Sequence, residues 1–239
     1  MKECRELHIH ISIDDVKGVF RALTKEKMNS IFDTRMLGFL KTMHEKYNAQ
    51  FDLYCTYSIE GYLFTDISDR YQKEFINNSN WIRLGFHCYS EQEDRSSGLF
   101  IGDIDLFMGG LIRIAGQSKM PQYLRTHKFL GDVNYCKALT EKGVSFLLTA
   151  DDNRNCYYHD GTITDILAKN GYWHDDKNDI SFVKTAFRLE KVDDVYKEIM
   201  HYRKKEYPVV AIFTHECFMD SIDIRDKFET CCKLAMEDH

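Results

Sequence analysis

Acids, imidazoles and one guanidinium recur in this 239-residue sequence at one kind of place, the end of a short apolar run. HIHISIDDV ends in Asp14 and Asp15 before its last valine. WIRLGFH ends in His87, YLRTH in Arg125 and His127, FLLTADD in Asp151 and Asp152, and VVAIFTHE in His215 and Glu216. Carboxylates and imidazoles converging on one mouth can hold a divalent ion. Zn²⁺ takes His nitrogen and Asp or Glu oxygen, and a catalytic zinc keeps one position open for water. Such an ion polarises a carbonyl and lowers the pKa of its water toward ~7. A carboxylate beside the ligands can act as general base and a histidine across the pocket as general acid, help typically worth roughly 10²–10⁴ in rate. The adjacent aspartates then acquire a reason. An ion offsets their mutual repulsion, and one points to it while the other points to the water.

Those residues need strands to carry them. Alternation and apolar runs predict strands at Leu7–Ile13, Phe51–Tyr57, Trp81–His87, Tyr123–Thr126, Ser145–Thr149, Thr185–Leu189 and Val209–Thr214. Helical spacing predicts helices at Val16–Leu23, Arg35–Tyr47, Ser68–Ile76, Ile101–Ala115, Val133–Glu141, Val192–Lys205 and Ile224–Met236. The βαβα order implies an α/β fold with a parallel sheet covered by helices. About seven strands in a chain of this length point to a distorted (β/α) barrel, with an open doubly wound sheet as the alternative. In such barrels the active site lies at the C-terminal ends of the strands, where the five termini above would meet. Between Tyr157 and Val183 the pattern weakens, and GYWHDDKNDISF reads as a hairpin turning at Lys177–Asn178, an excursion from the barrel near 157–183. With no linker or short repeat, residues 1–239 read as one domain.

Composition excludes several classes. A hydrophobic fraction of 44% with 14 Tyr and 16 Phe supplies a large core and argues against disorder. A net charge of −6 argues against a nucleic-acid partner. The basic cluster HYRKKEY reads as the solvated end of a helix, where cations are favoured. The most apolar stretch, Leu99–Gly116, is broken by Asp103, Asp105 and Arg113, so no membrane span is expected. Eight cysteines without a CxxC pair read as reduced thiols. With no secretory leader pattern at the start, the expectation is a cytoplasmic protein.

HISIDDV resembles the first motif of the polysaccharide deacetylase superfamily, the NodB-homology or carbohydrate esterase family 4-like proteins, of which the chain would be a distant member. The resemblance implies Asp14 as catalytic base and Asp15 as metal ligand. LGFHCYSEQ is similar to the second motif and implies His87 as a ligand, with Glu91 where the family places a second histidine. LRTHKF is similar to the third, in which Arg125 orients the base, and His127 stands in place of the family's proline. TADDNRN is similar to the fourth, whose aspartate buttresses that arginine, making Asp151 or Asp152 the candidate. VVAIFTHE matches the last, with His215 as general acid. The motifs follow the family's order from Ile11 to Glu216. The implied activity is metal-dependent removal of an N-acyl group from a sugar or related amide, with zinc as the expected ion and Glu91 or His127 as third ligand. The expected partner is a small-molecule or oligosaccharide substrate, with Trp173, Tyr157 and Tyr158 as a possible sugar platform; oligomeric state is not legible.

Two other functions compete. A deacetylase-like barrel without its metal would bind a carbohydrate or a partner. A metal-dependent amidohydrolase or phosphoesterase would instead use His8 and His10, which lie two apart on the first strand. The bland alternatives are that these histidines sit hydrogen-bonded below Asp14, and that Asp14–Asp15 cap the following helix.

Overall fold

The computed structural model describes residues 8–26, 28–59, 61–91 and 101–237. The strands are β1 His8–Val16, β2 Phe51–Thr56, β3 Ser58–Ile59, β4 Tyr62–Leu63, β5 Ile82–Cys88, β6 Tyr123–Leu124, β7 Phe146–Leu148, β8 Tyr172–Asp175, β9 Ile180–Val183, β10 Thr185–Arg188 and β11 Val209–His215. The helices are α1 Gly18–Lys25, α2 Arg35–Tyr47, α3 Gln72–Asn77, α4 Ile101–Ala115, α5 Val133–Glu141, α6 Gly161–Asn170, α7 Val195–Lys204 and α8 Ile222–Glu237.

Two sheets form the wall of the barrel. One runs β10-β11-β1-β2-β5, all parallel, and the other β6-β7-β9-β8, parallel except for β8. Only Lys184 separates β9 from β10, so one bent strand belongs to both sheets. Counted that way, the parallel strands are β1, β2, β5, β6, β7, β9/β10 and β11, seven among the described residues. Among the described residues no ladder joins β5 to β6. Side chains close that seam: a Cβ on Gly85 would lie 2.6 Å from Leu124 Cδ1, so only glycine lets β6 approach.

β1 shows how the layers are built. Ile9, Ile11 and Ile13 are buried on one face, and His10, Ser12 and Asp14 are buried on the other. Both faces of a parallel strand under helices are covered, so the polar face is turned inward rather than to water. Arg125, just beyond β6, reaches Ser12 and Asp14 of β1 and Thr185 of β10 across that interior.

The hairpin expected at 157–183 is present as β8–β9, with its turn at residues 176–179, but its second limb is a wall strand rather than an excursion. The same stretch contains α6, which its apolar pattern does not predict. Its signal is punctuation instead: Asp160 caps the helix by accepting from Ile163 N–H at 3.0 Å, and Gly171 ends it in the left-handed region at φ 73. The helix expected at Ser68–Ile76 is a 3₁₀ turn, Asp69–Tyr71, followed by α3. Leu7, at the edge of the first expected strand, and Leu99, at the edge of the apolar stretch, lie outside the described residues. No helix among the described residues is long and apolar enough to cross a membrane.

Candidate active site

At the C-terminal end of β1 the chain leaves regular geometry. The β1–β2 register shifts between Ile13 and Val16, and Asp15 adopts φ 56. That left-handed region costs an ordinary residue of order 1–3 kcal/mol, and Asp tolerates it better than most. The strained step turns two neighbouring carboxylates toward different partners. Asp14 faces the interior and Asp15 faces β5.

Asp14 is 2% exposed, and its Oδ1 accepts from Arg125 Nη1 at 2.9 Å. Arg125 is itself 1% exposed. The same Nη1 donates to Ser12 Oγ at 3.2 Å, Nη2 donates to Thr185 Oγ1 at 3.0 Å, and the guanidinium lies 4.0 Å over the Phe213 ring. The arginine is therefore fixed without help from Asp151. Asp151 pairs with Arg188, at 2.8 Å from Nη2, and Asp152 with Arg154. This corrects the expectation that one of them buttresses Arg125: the arginine's other contacts come from β1, β2, β10 and β11.

His87 is the penultimate residue of β5 and is buried. Its Nδ1 donates to the Arg125 carbonyl at 2.8 Å, which leaves Nε2 facing Asp15 Oδ1 at 3.2 Å. That approach is not aligned as a hydrogen bond, and Asp15 Oδ1 is a buried oxygen without a hydrogen-bond partner. Burial alone would raise the Asp15 carboxyl, but the His87 contact and charge outweigh it and hold the group well below the usual carboxylate range. Burial alone would likewise lower His87, but Asp15, with Asp14 behind it, raises the imidazole above its ordinary value. The pair suits a divalent ion in two respects. A backbone carbonyl sets the histidine's tautomer, as is usual for metal-binding imidazoles. The N···O separation is also near the edge of a tetrahedron with ~2.0–2.1 Å bonds, roughly 3.3 Å.

The third donor is less advanced. Glu91 accepts from Lys17 Nζ at 2.5 Å and from Thr56 Oγ1 at 3.4 Å, so it is engaged elsewhere. The His127 ring lies 5.4 Å from that of His87, and burial, then the His87 charge, lowers it. Among the described residues no group of three or more His, Cys, Asp or Glu is gathered as a metal site.

Across the mouth, His215 shares a register position with Asp14 on the neighbouring strand. Its Nδ1 pairs with Glu190 Oε1, and Thr214 Oγ1 donates to Glu190 Oε2 at 3.0 Å. Burial by itself would lower His215; Glu190, aided by the charges of Asp14 and Asp15, raises it instead. Glu190 is absent from the residues that the motifs pick out. Its only sequence signal is its place, directly after the strand TAFRL, in the same strand-end position as the other acids. Glu216 also has a definite task. It accepts from the backbone N–H groups of Lys17, Gly18 and Val19 at 2.7, 2.5 and 2.8 Å, so it, not Asp14 or Asp15, caps α1.

Of the remaining candidates, Tyr157 lies beside Thr126 and Arg125, and Trp173 packs next to it through His159 and Phe182. The Tyr157 hydroxyl donates to the Leu148 carbonyl at 2.9 Å, and the Trp173 ring stacks on Phe182 at 5.5 Å. Both rings also meet His159, so the expected sugar platform is part of a packed aromatic cluster. His8 and His10 line a cavity of about 570 Å³ at the opposite end of the barrel, with Asp52 and Arg83. His10 bonds Tyr54 at 3.2 Å there, and burial, only partly offset by Arg83, pushes Asp52 up to about 6. A reaction at the strand C-termini therefore does not use His8 or His10.

Among solved structures the chain is similar to a protein from Mycobacterium smegmatis described as a polysaccharide deacetylase. The identity is 11% and the TM-score 0.53, over 97% of this chain and 86% of that one. It is also similar to 4-alpha-glucanotransferase from Thermococcus litoralis, at 11% identity and a TM-score of 0.54, over 94% of this chain and 37% of that one. No family model and no curated protein matches the chain. The chain has the (β/α) barrel fold of the polysaccharide deacetylases. Because the same barrel is shared with a differently named enzyme, the reaction must be argued from the side chains.

Proposed function

We propose that the chain is a metal-dependent hydrolase of the polysaccharide deacetylase type, removing an N-acyl group from a sugar or related amide. The observation that carries this reading is the pairing at one register position of β1 and β11. Asp14, fixed by Arg125, stands opposite His215, fixed by Glu190. In this reading Asp14 takes the proton of the attacking water, and Arg125 keeps its carboxylate in place. His215, which Glu190 biases toward its protonated form, gives a proton to the departing amine. Asp15 and His87 would hold the ion, with His127 rather than Glu91 as third donor. When bound, the ion would polarise the acyl carbonyl and acidify water.

A second reading keeps the barrel and drops the chemistry, as a carbohydrate- or partner-binding protein. The Lys17–Glu91 pair favours it, because that pair stands where the resemblance expects a second histidine ligand. Elemental analysis of the purified, zinc-equilibrated chain separates the two. The hydrolase reading expects one bound ion, lost in Asp15→Asn, His87→Ala and His127→Ala and kept in Glu91→Gln, together with amine release from an N-acetylated sugar. Ion retention in Asp15→Asn and His87→Ala would overturn the ligand assignment.

A further inference from the structure

Lys17 is the first residue after β1, two positions beyond Asp15, and its backbone is held at both ends. Its N–H donates to Glu216 Oε2 at 2.7 Å, and its carbonyl accepts from the Tyr62 hydroxyl at 2.6 Å. The side chain therefore starts from a fixed point at the mouth. Its ammonium, 2.5 Å from each Glu91 oxygen, takes up both lobes of that carboxylate. Asp15 and Glu216 are the other acids whose charges act on it. An ammonium donates along three directions and coordinates nothing. A carboxylate spent on it keeps its charge at the mouth but is not free to ligate an ion.

We infer that Lys17 is a tethered cation that withholds Glu91 from the metal position and so sets the ion affinity of the mouth. The inference goes beyond the hydrolase reading and rests on it only for the place of the ion, at Asp15 and His87. In chemical terms the mouth holds two candidate cations for one surplus carboxylate. The one built into the chain is positioned by Glu216 and Tyr62 before any ion arrives. Removing the ammonium does two things in the same direction. It deletes a positive charge near Asp15, and it leaves Glu91, four residues beyond His87, without its cationic partner and, among the described residues, with only the Thr56 hydroxyl at 3.4 Å. Both favour a divalent ion over the unligated mouth.

The test measures Zn²⁺ affinity of the full chain by competition with a chromophoric chelator, in wild type, Lys17→Met, Lys17→Arg, Glu91→Gln and the Lys17→Met/Glu91→Gln double variant. Lys17→Met is expected to bind Zn²⁺ about tenfold or more tightly than wild type, with most of the gain absent from the double variant, the signature of a coupled pair. Lys17→Arg, which keeps the charge and the ion pair, is expected to stay at wild-type affinity and guards against an effect of altered folding. Equal or weaker binding by Lys17→Met, or an undiminished gain in the double variant, would overturn the inference. The outcome is separable from that of the hydrolase reading. Wild type without bound zinc would remove the catalytic proposal, whereas Lys17→Met binding zinc through Glu91 would still support the role of Lys17; if neither chain binds zinc, the inference fails.

Discussion

Replacing Glu190 by Gln tests the acid half of the mouth directly. The substitution keeps the shape of the side chain and can still accept from Thr214 Oγ1, but it removes the negative charge paired with His215 Nδ1. The His215 and Glu190 side chains are 22% and 12% exposed, so water screens the pair only in part. A unit charge pair at about 4 Å is worth about 4 kcal/mol at an effective dielectric of 20. Allowing for that screening and for the hydrogen bond retained by the amide, the differential loss is roughly 1.5–3 kcal/mol. At 1.36 kcal/mol per unit, the His215 pKa should fall by about 1–2 units. Burial, then opposed only by the charges of Asp14 and Asp15, should pull the imidazole down from its raised position. The assay is an NMR titration of the His215 ring in both chains, which needs neither substrate nor metal. Stability should follow with a defined sign. A histidine raised in the folded state contributes stability that is fully present below its unfolded pKa and lost as pH rises through the folded one. Glu190→Gln should therefore be most destabilising in mild acid and least so in alkali. A shift below about half a unit, or a destabilisation that grows with pH, would refute the assignment of Glu190 as the group that tunes His215.

Arg125→Met should cost about 3–5 kcal/mol in denaturant unfolding, because it leaves the Asp14 carboxylate buried and unpaired; adding Asp14→Leu should recover much of the loss, and an additive double variant would contradict the pairing. Zinc binding should release a proton near neutrality, because His87 is raised by Asp15 and must be neutral to ligate; calorimetry in buffers of different ionisation enthalpy reads this, and no proton release would exclude His87 as the ligand.

Much of this mouth is legible in the sequence because strand ends are. An apolar run with a polar terminus fixes both the strand and the end at which its last residue emerges, so Asp14, His87, Arg125 and His215 arrive on the same face of the barrel. What is not legible depends on reach across strands. Glu190 matters because the β10–β11 register shifts between Thr185 and Phe187, which pairs Arg188 with Phe213 and brings Glu190, two residues further on, level with His215. Asp151 misses Arg125 because Arg188, closing the same bent strand that ends near Glu190, takes it first. The role of Lys17 cannot be read from a dipeptide such as Val16–Lys17, since it depends on Glu216 and Tyr62, residues distant in sequence that pin its backbone. α6 is the opposite case, written in its caps and hidden from a reading of apolar period alone.

The adjacency of Asp14 and Asp15 finally turns on which cation each one keeps. Four acids at the mouth each have a basic partner: Asp14 with Arg125, Asp15 with His87, Glu91 with Lys17 and Glu190 with His215. Three of these pairs resist exchange for an ion. Arginine cannot shed its proton, Lys17 is tethered, and His215 is wanted in its protonated form by Glu190. Only His87 can give up its charge and remain useful, because its Nδ1–H is already committed to the Arg125 carbonyl and its Nε2 lone pair is aimed at an oxygen that lacks a hydrogen-bond partner. In the proposed reading, losing one proton there would convert a misaligned ion pair into two donors for one cation. The left-handed turn at Asp15 separates this exchangeable carboxylate from the permanently paired one beside it. In the proposed reading, a strand ending in a single aspartate could supply either the fixed base or the exchangeable ligand, and the bulge would let β1 supply both.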